Sequence, residues 1–284
     1  MMTGRCSCLL VLAATAAMGV ALATEPDNRN AEQGQKRAVP LRQAHAHNDY
    51  EHKRPLLDAL EQGFCSVEAD VYLVGDELLV GHTRLDLRRE RTLEKLYLAP
   101  LQQRVRSNGG RVYRGGPTLY LLIDVKTEAR PTYAAVDKLL TKYGEMLSVT
   151  RDGKHQAGAV TVVISGNCDR DTILQQKVHY AGIDGRPRDL DSEAPAALMP
   201  WISADWGSLF RWKGEGAMPE SERRKLRDFV GKAHENGRMV RFWATPETAE
   251  VWQELLAAKV DLLGTDRLIE LRQFLRDHSR ASGK

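Results

Sequence analysis

A chain of 284 residues with 42% hydrophobic and 28% charged side chains carries enough apolar material for one large core, and its mixture excludes a fibrous or fully disordered polymer. The formal net charge of +3 arises from 41 basic and 38 acidic residues scattered among one another. Such a surface has no basic stripe, so nucleic acid is not an expected partner.

The first segment has the form of a secretory signal peptide over residues 1–23: Arg5, an apolar run from Leu9 to Leu22, and a small-residue ending at Ala23. It is too short and too rich in small residues for a membrane span, although an uncleaved N-terminal anchor is the alternative. Export predicts a secreted or periplasmic protein. Residues 24–40 contain almost nothing apolar and are expected to be a disordered tail. Cys6 and Cys8 leave with the signal, and Cys65 and Cys168 fall at opposite ends of the expected sheet, beyond the roughly 7 Å Cα limit for a disulfide.

From residue 41 onward, strand-length apolar runs alternate with amphipathic stretches. The pattern predicts strands over 41–46, 66–74, 119–126, 159–166, 180–184, 201–205, 239–244 and 261–265. Helices are predicted over 54–63, 131–147, 221–237 and 247–259, with Gly63, Gly144 and Gly237 as stop signals. Residues 104–116 and 185–200 have the composition of long loops. Regular alternation on this scale predicts an α/β fold, a single (β/α)8 TIM barrel over residues 41–284, whose active site is built by the loops after the strands.

Three of these strands end in polar residues two positions apart: His45 and His47 in QAHAH, Glu68 and Asp70 in SVEADV, Asp124 and Lys126 in LLIDVK. Side chains two apart on a strand share a face. Parallel strands are normally apolar on both faces, so three consecutive exceptions point to one polar site at the mouth of the sheet. Glu68, Asp70 and Asp124 offer hard oxygen ligands for a divalent cation, magnesium first and calcium second. Lys126 either neutralises these acids or holds a phosphate oxygen. Downstream, ELLVGH forms a short strand that folds back as a hairpin and delivers His82 to the same mouth. Two imidazoles flanking a bound anion make an acid/base pair, because an ordinary pKa near 6.5 lets one accept and the other donate a proton near neutral pH. Asn48 and Asp49 either orient a ring or make the turn that ends the first strand.

At these positions the chain resembles a known family. HAHN, SVEADV, LLVGH, LIDVKT and then RFWATPE with DLLGTD are similar to the phosphatidylinositol-specific phospholipase C and glycerophosphodiester phosphodiesterase superfamily, essentially over the whole chain after Pro40. The order is closest to the branch named altered inheritance of mitochondria protein 6, and the spacing also resembles sphingomyelinase D. The resemblance implies a barrel of the phospholipase C-like phosphodiesterase type. It implies His45, with Asn48, as the first catalytic position and His82 as the second, metal ligation by Glu68, Asp70 and Asp124, and a phosphate contact from Lys126. His47 is additional, the HRG and PENT segments of glycerophosphodiester phosphodiesterases are absent, and Asp124 stands where those enzymes carry Glu.

Together these features predict a metal-dependent phosphodiester hydrolase acting on a glycerophosphodiester or a phospholipid-type head group, and a monomer. Asn48, Asn167, Arg186 and Trp243 are the candidate substrate contacts, with Asp184, Asp205 and Trp206 on the same rim; Trp243 alternatively packs in the core. Asp266 is expected to cap the helix that follows it. One competing expectation is an amidohydrolase-like barrel with metal on His45 and His47; another is an anion-binding barrel without turnover. Transient membrane contact is expected only if Phe210 and Trp212 of WGSLFRW are exposed.

Overall fold

The computed structural model describes residues 38–282 together with Met1, so the expected signal peptide and nearly all of the polar tail lie outside the described residues. The strands are β1 (Leu41–Ala46), β2 (Phe64–Val74), β3 (Glu77–Val80), β4 (Leu119–Val125), β5 (Val149–Arg151), β6 (Lys154–Gln156), β7 (Val160–Gly166), β8 (Val178–His179), β9 (Ala181–Gly185), β10 (Trp201–Asp205), β11 (Met239–Trp243) and β12 (Leu262–Thr265). The helices are α1 (Leu57–Gln62), α2 (Ala99–Ser107), α3 (Ala129–Lys142), α4 (Arg170–Gln175), α5 (Trp206–Leu209), α6 (Glu220–Glu235), α7 (Ala249–Ala257) and α8 (Leu268–Ser282).

Eight parallel strands run side by side in the order β1, β12, β11, β10, β9, β7, β4, β2, and pairing of β1 with β2 closes the ring. This is the expected (β/α)8 barrel. Alternation sorts the side chains of each strand. Val67, Ala69 and Val71 of β2 and Leu121, Ile123 and Val125 of β4 join the main apolar core, the layer a barrel builds between its strands and helices. A separate cluster of Leu122, Val163, Trp201 and Leu262, with Tyr120 and Met239 against it, uses the opposite parity of its strands and fills the barrel interior. Above it the inward positions turn polar.

β3 lies outside the ring as an antiparallel hairpin on β2, with Val71 opposite Val80. It carries the chain back to the C-terminal mouth and sets His82 down there. Among the described residues no helix is long and apolar enough to cross a membrane.

Three local expectations are corrected, and one sheet is added. Residues 104–107 belong to α2, which opens on Pro100 and bears Arg104 and Arg106 in its last turn. Helix α3 stops at Lys142, and Gly144 serves close packing, since a Cβ there would sit 2.9 Å from the Tyr180 ring. Strand β2 begins two residues before its expected start, so Cys65 lies inside it, buried; as expected, it and Cys168 are both free thiols. An unexpected three-stranded antiparallel sheet, β6-β5-β8, is formed by β5 and β6 just before β7 and by β8 between β7 and β9. Its turn is Asp152-Gly153, both at positive φ, the backbone that two-residue hairpins favour.

Candidate active site

The expected polar positions meet at the C-terminal mouth. Glu68, Asp70 and Asp124 bring one carboxylate oxygen each to within 4.8 Å of one another. β2 and β4 are in register with Asp70 beside Asp124, which places these acids on adjacent strands at one height. Lys126 Nζ lies 3.0 Å from Asp70 Oδ2 and 3.1 Å from Asp124 Oδ2. Arg241, inward on β11, reaches across the barrel to Glu68 Oε2 at 2.5 Å. Three carboxylates therefore face two side-chain cations. Asp70 Oδ1 and Asp124 Oδ1 are buried without a hydrogen-bond partner, a costly state for a carboxylate oxygen. Two orphaned hard donors beside a third carboxylate fit a divalent cation.

Burial pushes Asp70 up to about 6, and its acidic neighbours add to this against the Tyr50 hydrogen bond and Lys126. Burial also raises Asp124. Glu68 goes the other way: although burial opposes its charge, Arg241 and His45 hold it well below the usual carboxylate range.

The two histidines of β1 and its following turn have different surroundings. His45 is fully buried; its Nδ1 lies 2.7 Å from Ser66 Oγ and its Nε2 lies 3.2 Å from Glu68 Oε2. Burial, with Arg241 nearby, pulls it down to about 4, so the ring is neutral. His47 is about one-third exposed, with Nδ1 2.8 Å from Asp266 Oδ1. Burial opposes its charge, but the Asp266 hydrogen bond and the Glu68 field prevail and hold its pKa above the ordinary value. His45, expected as the first catalytic position, thus has both ring nitrogens engaged inside the barrel, and the open imidazole is His47.

His82 is more than half exposed and joins the acids through Tyr50. The Tyr50 hydroxyl lies 2.7 Å from Asp70 Oδ2, 2.7 Å from Asn48 Oδ1 and 3.0 Å from His82 Nδ1. Asn48, left-handed at φ 46, ends β1 and turns its amide toward Asp266 at 3.5 Å. Behind this turn the buried Asp49 accepts from the Leu56 amide and the Tyr97 hydroxyl, anchoring the loop that carries His47, Asn48 and Tyr50.

Asn167, Arg186 and Trp243 assemble on the neighbouring rim. Arg186 Nη1 binds Asp184 Oδ2 at 2.5 Å, its Nη2 lies 3.0 Å from Ser165 Oγ, and the guanidinium lies over the Trp243 ring at 5.1 Å. Asn167 is exposed and donates to the Thr127 carbonyl. Asp205 instead caps α5, and Trp206 is buried.

Three participants were not singled out from the sequence. Arg241 was recoverable, because it is two residues before Trp243 and shares its face. Tyr50, two residues after Asn48, and Ser66, two before Glu68, carried a weaker version of the same signal. Asp266, expected to cap α8, turns its carboxylate to His47, and its amide donates to Glu247 Oε1 at 2.9 Å. Phe210 and Trp212 are buried, so WGSLFRW presents neither ring to a membrane. The amidohydrolase arrangement is also not formed: His45 is spent on Ser66 and Glu68, and the cluster with metal-ligand spacing among the described residues is Glu68, Asp70 and Asp124.

Comparison with known proteins bears on the family and the fold. The model of the AIM6-like phosphodiesterase domain matches residues 34–182. The altered inheritance of mitochondria protein 6 homolog of Arthroderma benhamiae is 28% identical over 258 residues, covering 80% of this chain and 82% of that protein. Altered inheritance of mitochondria protein 6 of Eremothecium gossypii is 30% identical over 280 residues, covering 84% and 71%. Among solved structures, a calcium-dependent phosphoinositol-specific phospholipase C from a Pseudomonas species superposes with a TM-score of 0.51 at 13% identity, over 83% of this chain and 93% of that one. That likeness is one of fold.

Proposed function

The chain belongs to the AIM6-like phosphodiesterase family, and from that premise we propose that it is a metal-dependent phosphodiester hydrolase working by two-histidine acid/base catalysis. The observation that carries this is the pair of orphaned carboxylate oxygens, on Asp70 and Asp124, at a mouth that also carries two accessible imidazoles and a lysine. Glu68, Asp70 and Asp124 would hold the cation, magnesium or calcium, which supplies positive charge for the nonbridging oxygens of the phosphodiester.

The side chains divide the remaining work. A tyrosine hydroxyl has one proton, and the Asp70 carboxylate is its strongest neighbouring acceptor. Tyr50 then accepts from His82 Nδ1–H, which leaves the His82 Nε2 lone pair free as general base. His82 takes the proton of the attacking hydroxyl, from water or from a neighbouring group of the substrate, as the new P–O bond forms. His47, held protonated by Asp266, gives its Nε2 proton to the departing alkoxide as the old P–O bond breaks. Lys126, partly exposed beside Asp70 and Asp124, places its ammonium toward the phosphate oxygens. His45 is a positioning residue, holding Glu68 from inside the barrel.

The test is product release from a panel of glycerophosphodiesters, phosphatidylinositol and lysophospholipids, with magnesium, calcium or chelator. Cation-dependent cleavage that falls by on the order of a hundredfold in both His47→Ala and His82→Ala supports the proposal. Turnover that survives either change overturns the two-histidine scheme, and turnover indifferent to chelator overturns the metal. A folded protein that binds anions but cleaves none of the panel would favour a barrel without turnover.

A further inference from the structure

The rim cleft beside Asp124 has a chemistry that the scissile phosphodiester does not use. It has a volume of about 430 Å³ and is lined by Ser165, Gly166, Asn167, Arg170, Arg186 and Arg188, among others. That is ample for a small polar group. Gly166, in its lining, packs directly against the acidic cluster. Gly166 sits at φ +64, and a Cβ on it would lie 2.0 Å from Asp124 Oδ1, so the floor of the cleft and the candidate cation site share one backbone.

The charges in this cleft are unequal. Its one lining carboxylate, Asp184, is buried and already accepts from Trp201 Nε1 at 2.7 Å, from Ser165 Oγ at 2.7 Å and from Arg186. Arg170 is matched by a two-pronged pair with Asp189 at 2.8 and 3.1 Å. Arg188 is exposed, and no ion pair to it is found among the described residues. One guanidinium is therefore uncompensated beside another whose orientation is already fixed. Arg186 is clamped by Asp184 and Ser165 and seated over Trp243, so little rotamer freedom remains to be lost on binding. Planar guanidinium forks match phosphate and carboxylate oxygens. The same stack argues against a choline-type head, because the Trp243 face that would receive a quaternary ammonium is covered by Arg186.

Resting on the phosphodiesterase reading and deepening it, we infer that this cleft is a subsite for a second anion: the substrate is a phosphodiester in which one alcohol bears a further phosphate or carboxylate, held by Arg188 and Arg186 while the diester lies over Glu68, Asp70 and Asp124.

The experiment compares glycerophosphoglycerol with glycerophosphoglycerol carrying a terminal phosphate, whose three-carbon arm can reach along the rim, and adds glycerophosphocholine. With wild-type protein the phosphorylated diester should show kcat/KM at least tenfold above its parent, with glycerophosphocholine lowest. In Arg188→Ala the ratio of the first two should fall to within about twofold of one. Cleavage of both at equal kcat/KM overturns the subsite and leaves the phosphodiesterase reading standing. Titration calorimetry of the same compounds on wild-type and Arg188→Ala protein separates the reverse case. A tenfold tighter affinity for the phosphorylated diester, lost in the variant, supports the subsite even if no diester is cleaved; equal or absent binding of the two overturns it.

Discussion

His47 Nδ1 and Asp266 Oδ1 lie 2.8 Å apart although 219 residues separate them in the chain. The contact exists because β1 pairs with β12, Ala46 opposite Thr265, which sets the residue after each strand side by side at the mouth. It orients the ring so that Nδ1–H is spent on Asp266 and Nε2 faces away.

Burial works against charge on His47, and the Asp266 hydrogen bond together with the Glu68 and Asp266 charges outweighs it, so the histidine keeps its proton to higher pH than an ordinary imidazole. Asp266→Asn removes that support. As a general acid His47 must be protonated, so the alkaline limb of the kcat profile should move to lower pH, and kcat at pH 8 should fall by roughly ten- to a hundredfold. A pH–rate profile of the two proteins checks this; an unmoved alkaline limb would show that another group donates the proton.

Gly166→Ala should be far more damaging than an ordinary loop glycine replacement. Its Cβ would lie 2.0 Å from Asp124 Oδ1 and 2.4 Å from the Val125 carbonyl, on a backbone at φ +64. Gly216→Ala is the control, since φ is +62 there and nothing lies within 4 Å. The control should lose only the left-handed backbone penalty of about 1–2 kcal/mol. Gly166→Ala should lose more, together with cation affinity measured by calorimetry. Equal unfolding midpoints for the two variants would mean that Asp124 can move aside.

Arg241→Met should destabilise the barrel strongly. The guanidinium and the Glu68 carboxylate are each almost wholly buried and lie 2.5 Å apart, and in the cation-free protein removing Arg241 leaves Glu68 with His45 as its one hydrogen-bonded side chain among the described residues. The expected loss is about 3–5 kcal/mol in denaturant unfolding. Adding Glu68→Gln to Arg241→Met should recover part of it, because the stranded charge is gone. A single variant as stable as the wild type would mean that Glu68 finds another partner.

Asp49 links stability to pH. Burial lifts it to about 7 from an ordinary 3.8, against the hydrogen bonds from Leu56 and Tyr97. A carboxyl whose folded pKa lies above its unfolded value takes up a proton on folding, so its contribution to stability falls as pH rises from about 4 to about 7 and then levels off. Asp49→Asn has no such dependence. Relative to wild type, the variant should therefore gain with rising pH, by about 1.4 kcal/mol for each unit of the shift. Unfolding midpoints at pH 5 and pH 8 test the sign; a difference between the proteins that is the same at both pH values would show that Asp49 is not the group responsible.

The barrel was legible in the sequence because its signals are local. Strand-length apolar runs bounded by turn residues place all eight barrel strands within two residues of their observed limits, and the same-face rule puts Glu68, Asp70, Asp124 and Lys126 on one side. The Asp152-Gly153 hairpin is also legible there, because Asp-Gly is the turn chemistry of a two-residue hairpin. Environment is a different matter, because it depends on residues far away in the chain. His45 and His47 are indistinguishable as a motif, yet one sits under Ser66 and Glu68 while the other clears the rim beside Asp266. Period-2 alternation states which side of a strand a residue takes, whereas depth and partners follow from closure of the ring, which alone brings β11 and β12 around to β1 and β2, with Arg241 on β11 and Asp266 just after β12.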